Sequence, residues 1–275
     1  MNTNQPNNIK EQKGEFWSKP GAAEVYESGV SSDSGFIKIK NLVERTWVLQ
    51  HAKGEILDAG TGTGRFAIPL AKVPGNFVVA LDYSHEMIDL NRKLAVAQGV
   101  VDIEYFQGDI EHLPFDANRF DSVVSITVVR HFPQWQAILK EYIRVLKPGG
   151  KLIFEMCSGD HIQAANKFVA RFGTKYSKDG FLSYEAEVPY EEIHQWLEAQ
   201  GIEVVARHTY DFFNSNCFLK LVTINSLGYR IVLKLIKTFL LLPGLPRFWA
   251  WLELNVFRGL STVWSYNYMI VGKKL

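Results

Sequence analysis

The sequence has little of the features that mark several specialised classes of protein. Among its 275 residues there are only two cysteines, Cys157 and Cys217. Two cysteines are too few for a disulfide framework, and this pair does not have metal-ligand spacing. The first 14 residues are polar and contain no apolar stretch, so we do not expect a secretory signal. These features predict a reduced, cytoplasmic protein.

Neither sign of charge is in large excess. The chain has 30 Lys and Arg against 29 Asp and Glu, a formal net charge of +1, which argues against general nucleic-acid binding. The charge is uneven, however. Residues 212–275 carry eight basic residues and one acid, so they hold +7 and leave −6 for residues 1–211. A basic, apolar C-terminal part points to an anionic lipid or an anionic substrate.

Long uninterrupted apolar runs are also missing. The most apolar stretch, 228–259, is broken by lysines and by the PGLP of 243–246, so it is too short and too charged to span a bilayer. On a helix, Arg230, Lys234 and Lys237 would form one basic stripe beside apolar residues. Two interpretations remain open. The segment is an interfacial helix pair on an anionic membrane that delivers a lipid-soluble substrate, or it is a lid or homodimer contact.

What the sequence does contain is a regular alternation of apolar strands with helices. With 47% hydrophobic residues the chain can bury one sizeable core. Alternation of this kind predicts an α/β fold with a doubly wound parallel sheet covered on both faces. The predicted strands are 55–57, 77–82, 101–106, 121–126, 151–156, 202–210 and 263–272.

The last two predicted strands lack a helix of the sheet's own layer between them, so we expect the last strand to run antiparallel beside the sixth. We therefore divide the chain into an N-terminal flap and helices (1–51), a core (52–211 with 262–275) and an apolar, basic helical insert (212–261). The insert would leave and return at the carboxyl edge of the sheet, where open α/β sheets bind ligands.

The strongest motif is the run from Asp58 to Gly64, Asp-Ala-Gly-Thr-Gly-Thr-Gly, which follows a predicted strand and opens a helix. Glycines let the backbone turn sharply and approach a ligand, and a helix N-terminus favours negative charge. The glycines with Ala67 also satisfy the dinucleotide-binding pattern, so an NAD-type oxidoreductase is an alternative. A purely structural turn is another.

Two more carboxylates narrow the choice. Asp82 ends the second strand, where it can accept hydrogen bonds from two ribose hydroxyls of any nucleoside. Asp109 ends the third strand, where it can accept from an adenine amino group, with Ile110 and Met87 as apolar surface for the ring. A capping or turn aspartate is the alternative for Asp109. Three carboxylates after successive strands favour an adenosine-containing cofactor.

The motifs together resemble class I S-adenosylmethionine-dependent methyltransferases, in particular the ubiquinone and menaquinone C-methyltransferase branch. The matching runs are EILDAGTGTGRFAIPLA, VVALDYSHEMI, GDIEHLPFDANRFDSVVS and the stretch from RHF to RVLKPGGKLIFE, over about 52–157, and VPYEEIHQWLEAQGIEVV extends the match. The resemblance implies a Rossmann-like, seven-stranded sheet with a reversed last strand. It also implies S-adenosylmethionine as cofactor and S-adenosylhomocysteine as product.

The resemblance also implies roles for individual residues. The glycine loop would hold the amino-acid portion of the cofactor, Asp82 the ribose and Asp109 the adenine. Ser125 and Thr127 would line the methionine part. Tyr26, in the N-terminal flap, either contacts the carboxylate or sulfonium or anchors the flap. The predicted cofactor set is Tyr26, Asp58, Gly60, Thr61, Gly62, Gly64, Asp82, Tyr83, Met87, Asp109, Ile110, Ser125 and Thr127.

For the chemical step, His131 is the candidate base, because it follows the fourth strand closely and a neutral histidine accepts protons near pH 7. A structural or substrate-orienting role is the alternative. Glu155 and His161, near the exit of the fifth strand, are the next candidates. We see no cluster at metal spacing and expect no metal.

The sequence thus predicts a methyltransferase that acts on an oxygen, or a carbon, of a hydrophobic or lipid-linked small molecule. An NAD-type oxidoreductase and a catalytically silent cofactor-binding protein are the alternatives. The acceptor is open among prenyl quinones, phenols and membrane glycolipid sugars. We expect a cytoplasmic protein, either free or peripheral on the inner face of a membrane through Arg230, Lys234 and Lys237.

Overall fold

The computed structural model describes residues 6–32, 34–170, 185–210, 242, 244–257, 262 and 265–275. Helices and strands alternate along this part of the chain, as the apolar pattern predicts. The helices are α1 (Pro6–Trp17), α2 (Ala22–Val30), α3 (Gly35–His51), α4 (Ala67–Ala71), α5 (His85–Ala97), α6 (Trp135–Val145), α7 (Gly159–Ala170), α8 (Tyr190–Ala199) and α9 (Leu245–Asn255).

The strands form one mixed sheet. Seven of them have the order β3-β2-β1-β4-β5-β8-β7. Strands β1 to β5 pair in parallel, and β8 is antiparallel to both β5 and β7, which confirms the predicted reversed last strand. The strands are β1 (Glu55–Ala59), β2 (Phe77–Asp82), β3 (Ile103–Gln107), β4 (Phe120–Ser125), β5 (Leu146–Ser158), β6 (Glu187–Val188), β7 (Ile202–Tyr210) and β8 (Asn267–Lys274).

Apolar layers cover both faces of the sheet. Successive side chains of a strand point to opposite faces, so in β1 Ile56 packs with the layer that contains Val43 of α3, and Leu57 packs with the layer that contains Ile138 of α6. All four side chains are fully buried. The arrangement is the predicted doubly wound α/β fold, with helices on both faces.

The structure corrects several predicted boundaries. Strand β5 begins at Leu146 rather than at 151, so the turn with Gly149 at a φ of 78° lies within the strand pairing. Strand β8 begins at Asn267 rather than at 263. The two-residue strand β6, which pairs with β5, has no counterpart in the prediction, because an element so short leaves no periodic signal.

Part of the predicted insert packs on the core. Helix α9 lies against α3 and buries Ala250 and Glu253. Arg230, Lys234 and Lys237 lie outside the described residues, as does Cys217, so the basic stripe stays a prediction. In the portion of the chain that the structure describes, no helix has the length and apolar character needed to cross a membrane.

Candidate active site

The glycine loop between β1 and α4 turns at the carboxyl edge of the sheet. Gly60, Gly62 and Gly64 have φ angles of 75°, 53° and 89°, in the left-handed region that glycine adopts without strain. A Cβ on Gly60 would lie 2.6 Å from Cγ2 of Val128, and one on Gly64 would overlap the side-chain amide of Asn91. Larger residues would therefore displace the neighbouring segments as well as strain the turn.

Asp82, at the end of β2, anchors the loop from the neighbouring strand. Its Oδ2 accepts from the Gly62 amide at 2.8 Å, and its Oδ1 accepts from the Ser84 amide at 3.0 Å. Burial raises the pKa of Asp82, while these amides act in the opposite direction. The predicted ribose carboxylate and the predicted cofactor loop thus form one unit.

Asp58 lies beneath the same loop and is 2% exposed. Its Oδ2 accepts from the Thr61 hydroxyl at 2.7 Å, and that hydroxyl in turn accepts from Nδ2 of Asn91 at 3.2 Å. Burial raises the pKa of Asp58 to about 6, although the bond from Thr61 opposes the shift. A cation bound nearby would favour the ionised form, so this carboxylate suits a ligand with an ammonium group.

The residues predicted to surround the adenine follow β3 and begin α5. Asp109 is half-buried and its Oδ1 accepts from the Glu111 amide at 2.9 Å. Ile110 and Met87 are buried. Tyr83 is largely exposed. Its ring packs closely against Gly14 of α1, where an added Cβ would lie 3.0 Å from Cε1 of Tyr83. The set therefore contains one carboxylate and apolar surface.

A possible set of metal ligands overlaps this region. In the described residues, Asp109, Glu111 and His112 have ligand atoms within 4.8 Å of one another, a cluster that the sequence analysis did not anticipate. His112 is exposed, and the Gln134 side chain donates to Glu111. Exposed acidic groups are common without an ion, so we assign no metal here.

The N-terminal helices cover the glycine loop. A Cβ on Gly62 would lie 3.4 Å from Cε1 of Tyr26 on α2. The Tyr26 ring packs edge-on against the Trp17 ring, with the two ring centroids 5.7 Å apart. The Thr63 hydroxyl donates to Oε2 of Glu27 at 2.6 Å. Burial raises the pKa of Tyr26, so its phenol is neutral. Tyr26 therefore packs against a second flap aromatic and lies over the loop, and its role in binding or anchoring stays a prediction.

The exit of β4 forms the next part of the edge. The Ser125 hydroxyl is fully buried, donates to the Ala59 carbonyl at 2.9 Å and lies 3.1 Å from the Tyr142 hydroxyl. Ser125 as a whole is fully buried, so its contact with the methionine part of the cofactor stays a prediction. Thr127 has a φ of 63°, and its amide donates to Glu155 at 2.8 Å. A threonine in this conformation needs such support from its surroundings.

Comparison with known proteins identifies this part of the chain. Residues 57–154 match the model of a protein family that is described as a methyltransferase domain. This segment is a methyltransferase domain. It contains every predicted cofactor residue except Tyr26, so the sequence resemblance is confirmed at the level of the family.

Relatives and solved structures agree with the methyltransferase domain. The chain is 42% identical over 96 residues to a demethylmenaquinone methyltransferase of Chlorobaculum tepidum, covering 35% of this chain and 38% of that protein. It is 31% identical over 151 residues to a ubiquinone biosynthesis O-methyltransferase of Coxiella burnetii, covering 54% and 64%. The chain thus spans less than two thirds of the length of these relatives.

A solved structure described as an S-adenosylmethionine-dependent methyltransferase of Thermotoga maritima has the same fold. Its TM-score is 0.57 at 17% identity, and the match covers 95% of this chain and 99% of that one. At this identity the likeness concerns the fold alone. It extends the structural agreement well beyond the methyltransferase domain itself.

The candidate base follows β4 within the methyltransferase domain. His131 ends a short 3-10 helix, Val129–His131, and is half-buried. Its amide donates to the Val128 carbonyl at 2.9 Å. The structure thus places His131 at the carboxyl edge beside the exit of β4, and its catalytic role stays a prediction.

The two runner-up bases are both buried. Glu155 is fully buried and is held by the Thr127 amide and by the Arg130 guanidinium at 2.5 Å, so its carboxylate is engaged in fixing this edge. His161 is 1% exposed near the start of α7, and its amide donates to the Ser158 hydroxyl at 3.1 Å. Neither environment resembles that of a base open to an acceptor, so His131 remains the candidate.

Sequence reasoning missed a buried network around Arg65. The Arg65 guanidinium pairs with Glu44 of α3, donates to Oδ1 of Asn41 at 2.9 Å and to the Thr127 hydroxyl at 3.4 Å. The Tyr210 hydroxyl at the end of β7 donates to Glu44 at 2.6 Å. Burial opposes ionisation of Glu44, but Arg65 holds its pKa below the usual value. The one feature of the sequence that could have indicated this network is that Arg65 directly follows Gly64 of the glycine loop.

A second network, around Arg130, was also missed. This buried guanidinium donates to Glu155 at 2.5 Å and to Oδ1 of Asn267 at 2.7 Å, and it pairs with Glu185. The Tyr266 hydroxyl also donates to Glu185. These contacts join the segment after β4 to β5, β8 and the segment before β6. No local pattern marks them, because the partners are far apart in the sequence.

Proposed function

We propose that the protein transfers a methyl group from S-adenosylmethionine to an oxygen, or a carbon, of a hydrophobic or lipid-linked small molecule. One observation carries the proposal. The methyltransferase domain, 57–154, contains the glycine loop, the buried Asp58 and the loop-anchoring Asp82, which meet at one edge of the sheet. Two relatives, a demethylmenaquinone methyltransferase and a ubiquinone biosynthesis O-methyltransferase, support an apolar acceptor.

In this proposal the residues divide the cofactor among them. Asp58 would hold the ammonium group through the loop, because a nearby cation relieves the cost of ionising this buried carboxylate. Asp82 would accept from the ribose, and Asp109 with Ile110 and Met87 would hold the adenine. When bound, the cofactor supplies an electrophilic methyl group on a sulfonium. The protein's main contribution is positioning, which lowers barriers by up to about 7–11 kcal/mol.

His131 is the proposed base for a hydroxyl acceptor. A positioned base contributes about 10²- to 10⁴-fold, and an oxygen nucleophile needs its proton removed. We expect His131→Ala to lower kcat by at least about 100-fold at neutral pH and His131→Gln to do the same. Unchanged turnover in both variants would contradict this role. A turnover loss in His131→Ala that His131→Gln restores would indicate a structural role instead.

Two alternatives remain as competing functions. Dinucleotide-binding sheets of the Rossmann type are mostly parallel, whereas β8 here lies antiparallel between β5 and β7, which disfavours an NAD-type oxidoreductase. A silent cofactor-binding protein would share all the contacts described. The first alternative predicts stabilisation by NAD and not by S-adenosylhomocysteine, and the second predicts cofactor binding without product.

The deciding experiment combines binding and transfer. Calorimetry with S-adenosylhomocysteine and with NAD tests the cofactor. Incubation of the purified protein with radiolabelled methyl donor and cell extract, followed by phase separation, tests the reaction. We expect label in the organic phase. Label only in the aqueous phase would contradict the apolar acceptor, and cofactor binding with no label in either phase would favour the silent protein.

A further inference from the structure

Helices α3 and α9 together present a surface of exposed apolar and basic side chains. We call it the basic–aromatic face and define it by Lys38 and Arg45 on α3 and by Leu242, Arg247, Phe248 and Trp251 on and before α9. Phe248 and Trp251 are 55% and 53% exposed, and their rings stack with centroids 6.4 Å apart. Large apolar side chains that are exposed side by side, unlike single ones, are a sign of an interaction site.

The face contains two adjoining grooves of about 470 and 320 Å³ that share Leu42 and Arg247. Lys38, Arg45 and Arg247 line the larger groove, and Trp251 lines the smaller one. In the part of the chain that the structure describes, no aspartate or glutamate lines either groove. Glu253, the acid on α9, is buried beneath the helix. The face is therefore positive and apolar at once.

This combination fits an anionic lipid surface better than a second copy of the chain. Aromatic rings settle at the boundary between lipid headgroups and acyl chains, and arginine and lysine attract anionic headgroups. A two-fold contact between copies would place each positive face against itself, with like charges opposed.

The face also adjoins the candidate active site. Asn41 lines the larger groove, and its Oδ1 accepts from Arg65 at 2.9 Å, directly after the glycine loop. Ser31 and Ser32, at the end of the flap helix α2, line the same groove. A lipid surface at this position would lie against the flap that covers the loop.

We propose that the basic–aromatic face docks the protein on an anionic membrane surface, from which an apolar acceptor reaches the active site. The route for the acceptor rests on the proposed methyl transfer, whereas the docking itself does not. Phe248, Trp251 and Leu242 would enter the headgroup boundary, and Lys38, Arg45 and Arg247 would contact lipid phosphates.

The test is flotation of the purified full chain with phosphatidylcholine vesicles that contain or lack phosphatidylglycerol. We expect binding only to the anionic vesicles, and a decrease as salt is added. Arg247→Gln should weaken partitioning about fivefold, the loss expected for one basic side chain. The double variant Phe248→Ser with Trp251→Ser should weaken it by more than about tenfold.

Matched controls lie on α5, outside this face. Lys93→Gln removes an exposed charge and Val96→Ser an exposed apolar side chain, and neither should alter flotation. Equal binding to neutral and anionic vesicles, or equal effects of Arg247→Gln and Lys93→Gln, would overturn the proposal. So would a dimer in light scattering that Arg247→Gln disperses. S-Adenosylhomocysteine affinity without vesicles is measured separately, so failure of docking and failure of the cofactor assignment are distinguishable.

Discussion

Two walls of the candidate site are held in place by different kinds of interaction. The wall at β1 and β2 depends on backbone: three glycines with positive φ, and the Gly62 amide bound to Asp82. The wall at β5 and β8 depends on buried charged side chains, with Arg130 between Glu155 and Asn267. The first is formed by residues 58–84 and the second by residues 130–267.

The two walls are therefore suited to different parts of the reaction. A wall built from backbone amides suits a cofactor that is the same in every turnover, because its shape depends little on side-chain identity. A wall built from side chains can change its polarity and width by substitution. The second wall and the flap are therefore where acceptor choice would reside.

The largest effect that we predict is on the β5–β8 wall. Arg130→Ala leaves Glu155 and Glu185 without their buried cation, so we expect the free energy of unfolding to fall by about 3–5 kcal/mol in urea titrations. Arg92→Ala, which breaks a pair with Asp89 at a side chain that is 56% exposed, should cost at most about 1 kcal/mol. Equal losses in the two variants would contradict the comparison. If Arg130→Ala does not fold, Arg130→Lys replaces it in the same measurement, and we expect a smaller decrease in the free energy of unfolding.

On the β1–β2 wall we expect effects on binding more than on stability. Gly64→Ala places a Cβ into the Asn91 amide at a φ of 89° and should weaken S-adenosylhomocysteine binding about tenfold to 100-fold in calorimetry. Gly75→Ala is the matched control, with a φ of 84° and no atom within 4 Å. It should lose about 1 kcal/mol or more of stability and keep its affinity. Weaker binding in both variants would mean that backbone strain alone explains the effect.

Asp58 gives the β1–β2 wall a pH dependence. Because burial raises its pKa to about 6, Asp58 becomes neutral below that pH and can no longer attract an ammonium group. S-Adenosylhomocysteine affinity should therefore fall as pH drops below about 6, by up to about tenfold per pH unit. Calorimetry between pH 5 and pH 8 measures it, because this range brackets the raised pKa of Asp58 of about 6. Asp58→Asn should remove this step and Asp109→Asn should keep it; a step that survives in Asp58→Asn would refute the assignment.

The smallest effect concerns the contact between flap and loop. Thr63→Val removes the hydrogen bond to Glu27, worth about 1 kcal/mol, so the cofactor product should dissociate about fivefold faster in stopped-flow fluorescence. Thr63→Ser keeps the hydroxyl and should dissociate at the normal rate. Product release from Thr63→Val at the normal rate would contradict a role for this hydrogen bond.

The same contrast explains what the sequence could predict. The β1–β2 wall is local: strand β1, three glycines and Asp82 lie within 28 residues, each with a physical reason to be there. Apolar runs predicted the strands, and the missing helix before β8 predicted its reversed direction. The sequence predicted Asp58 in the cofactor loop and Asp82 at the ribose, but it did not predict that Asp82 accepts from the Gly62 amide and so anchors the loop.

The β5–β8 wall was beyond this reasoning. Arg130 and Asn267 are 137 positions apart, and nothing near either residue indicates the other. Glu44 and Tyr210, which meet through one hydrogen bond, are 166 positions apart. Ser125 shows what the sequence pattern cannot predict. The alternation of strands and helices predicts that Ser125 lies at the carboxyl edge of the sheet, but it does not predict that its hydroxyl contacts Ala59 and Tyr142.

The position of β8 has a consequence for how the chain acquires its structure during synthesis. Strand β7 does not pair with β5, because β8 lies between them. After the ribosome has made β7, that strand has no place in the sheet until the 56 residues that separate it from β8 and β8 itself have emerged. The segment β1 to β5 can assemble while translation proceeds, since each new strand pairs with a strand that has already been made. Completion of the sheet therefore waits for the synthesis of β8 and closes a long segment of chain, and loss of β8 would release β7 as well.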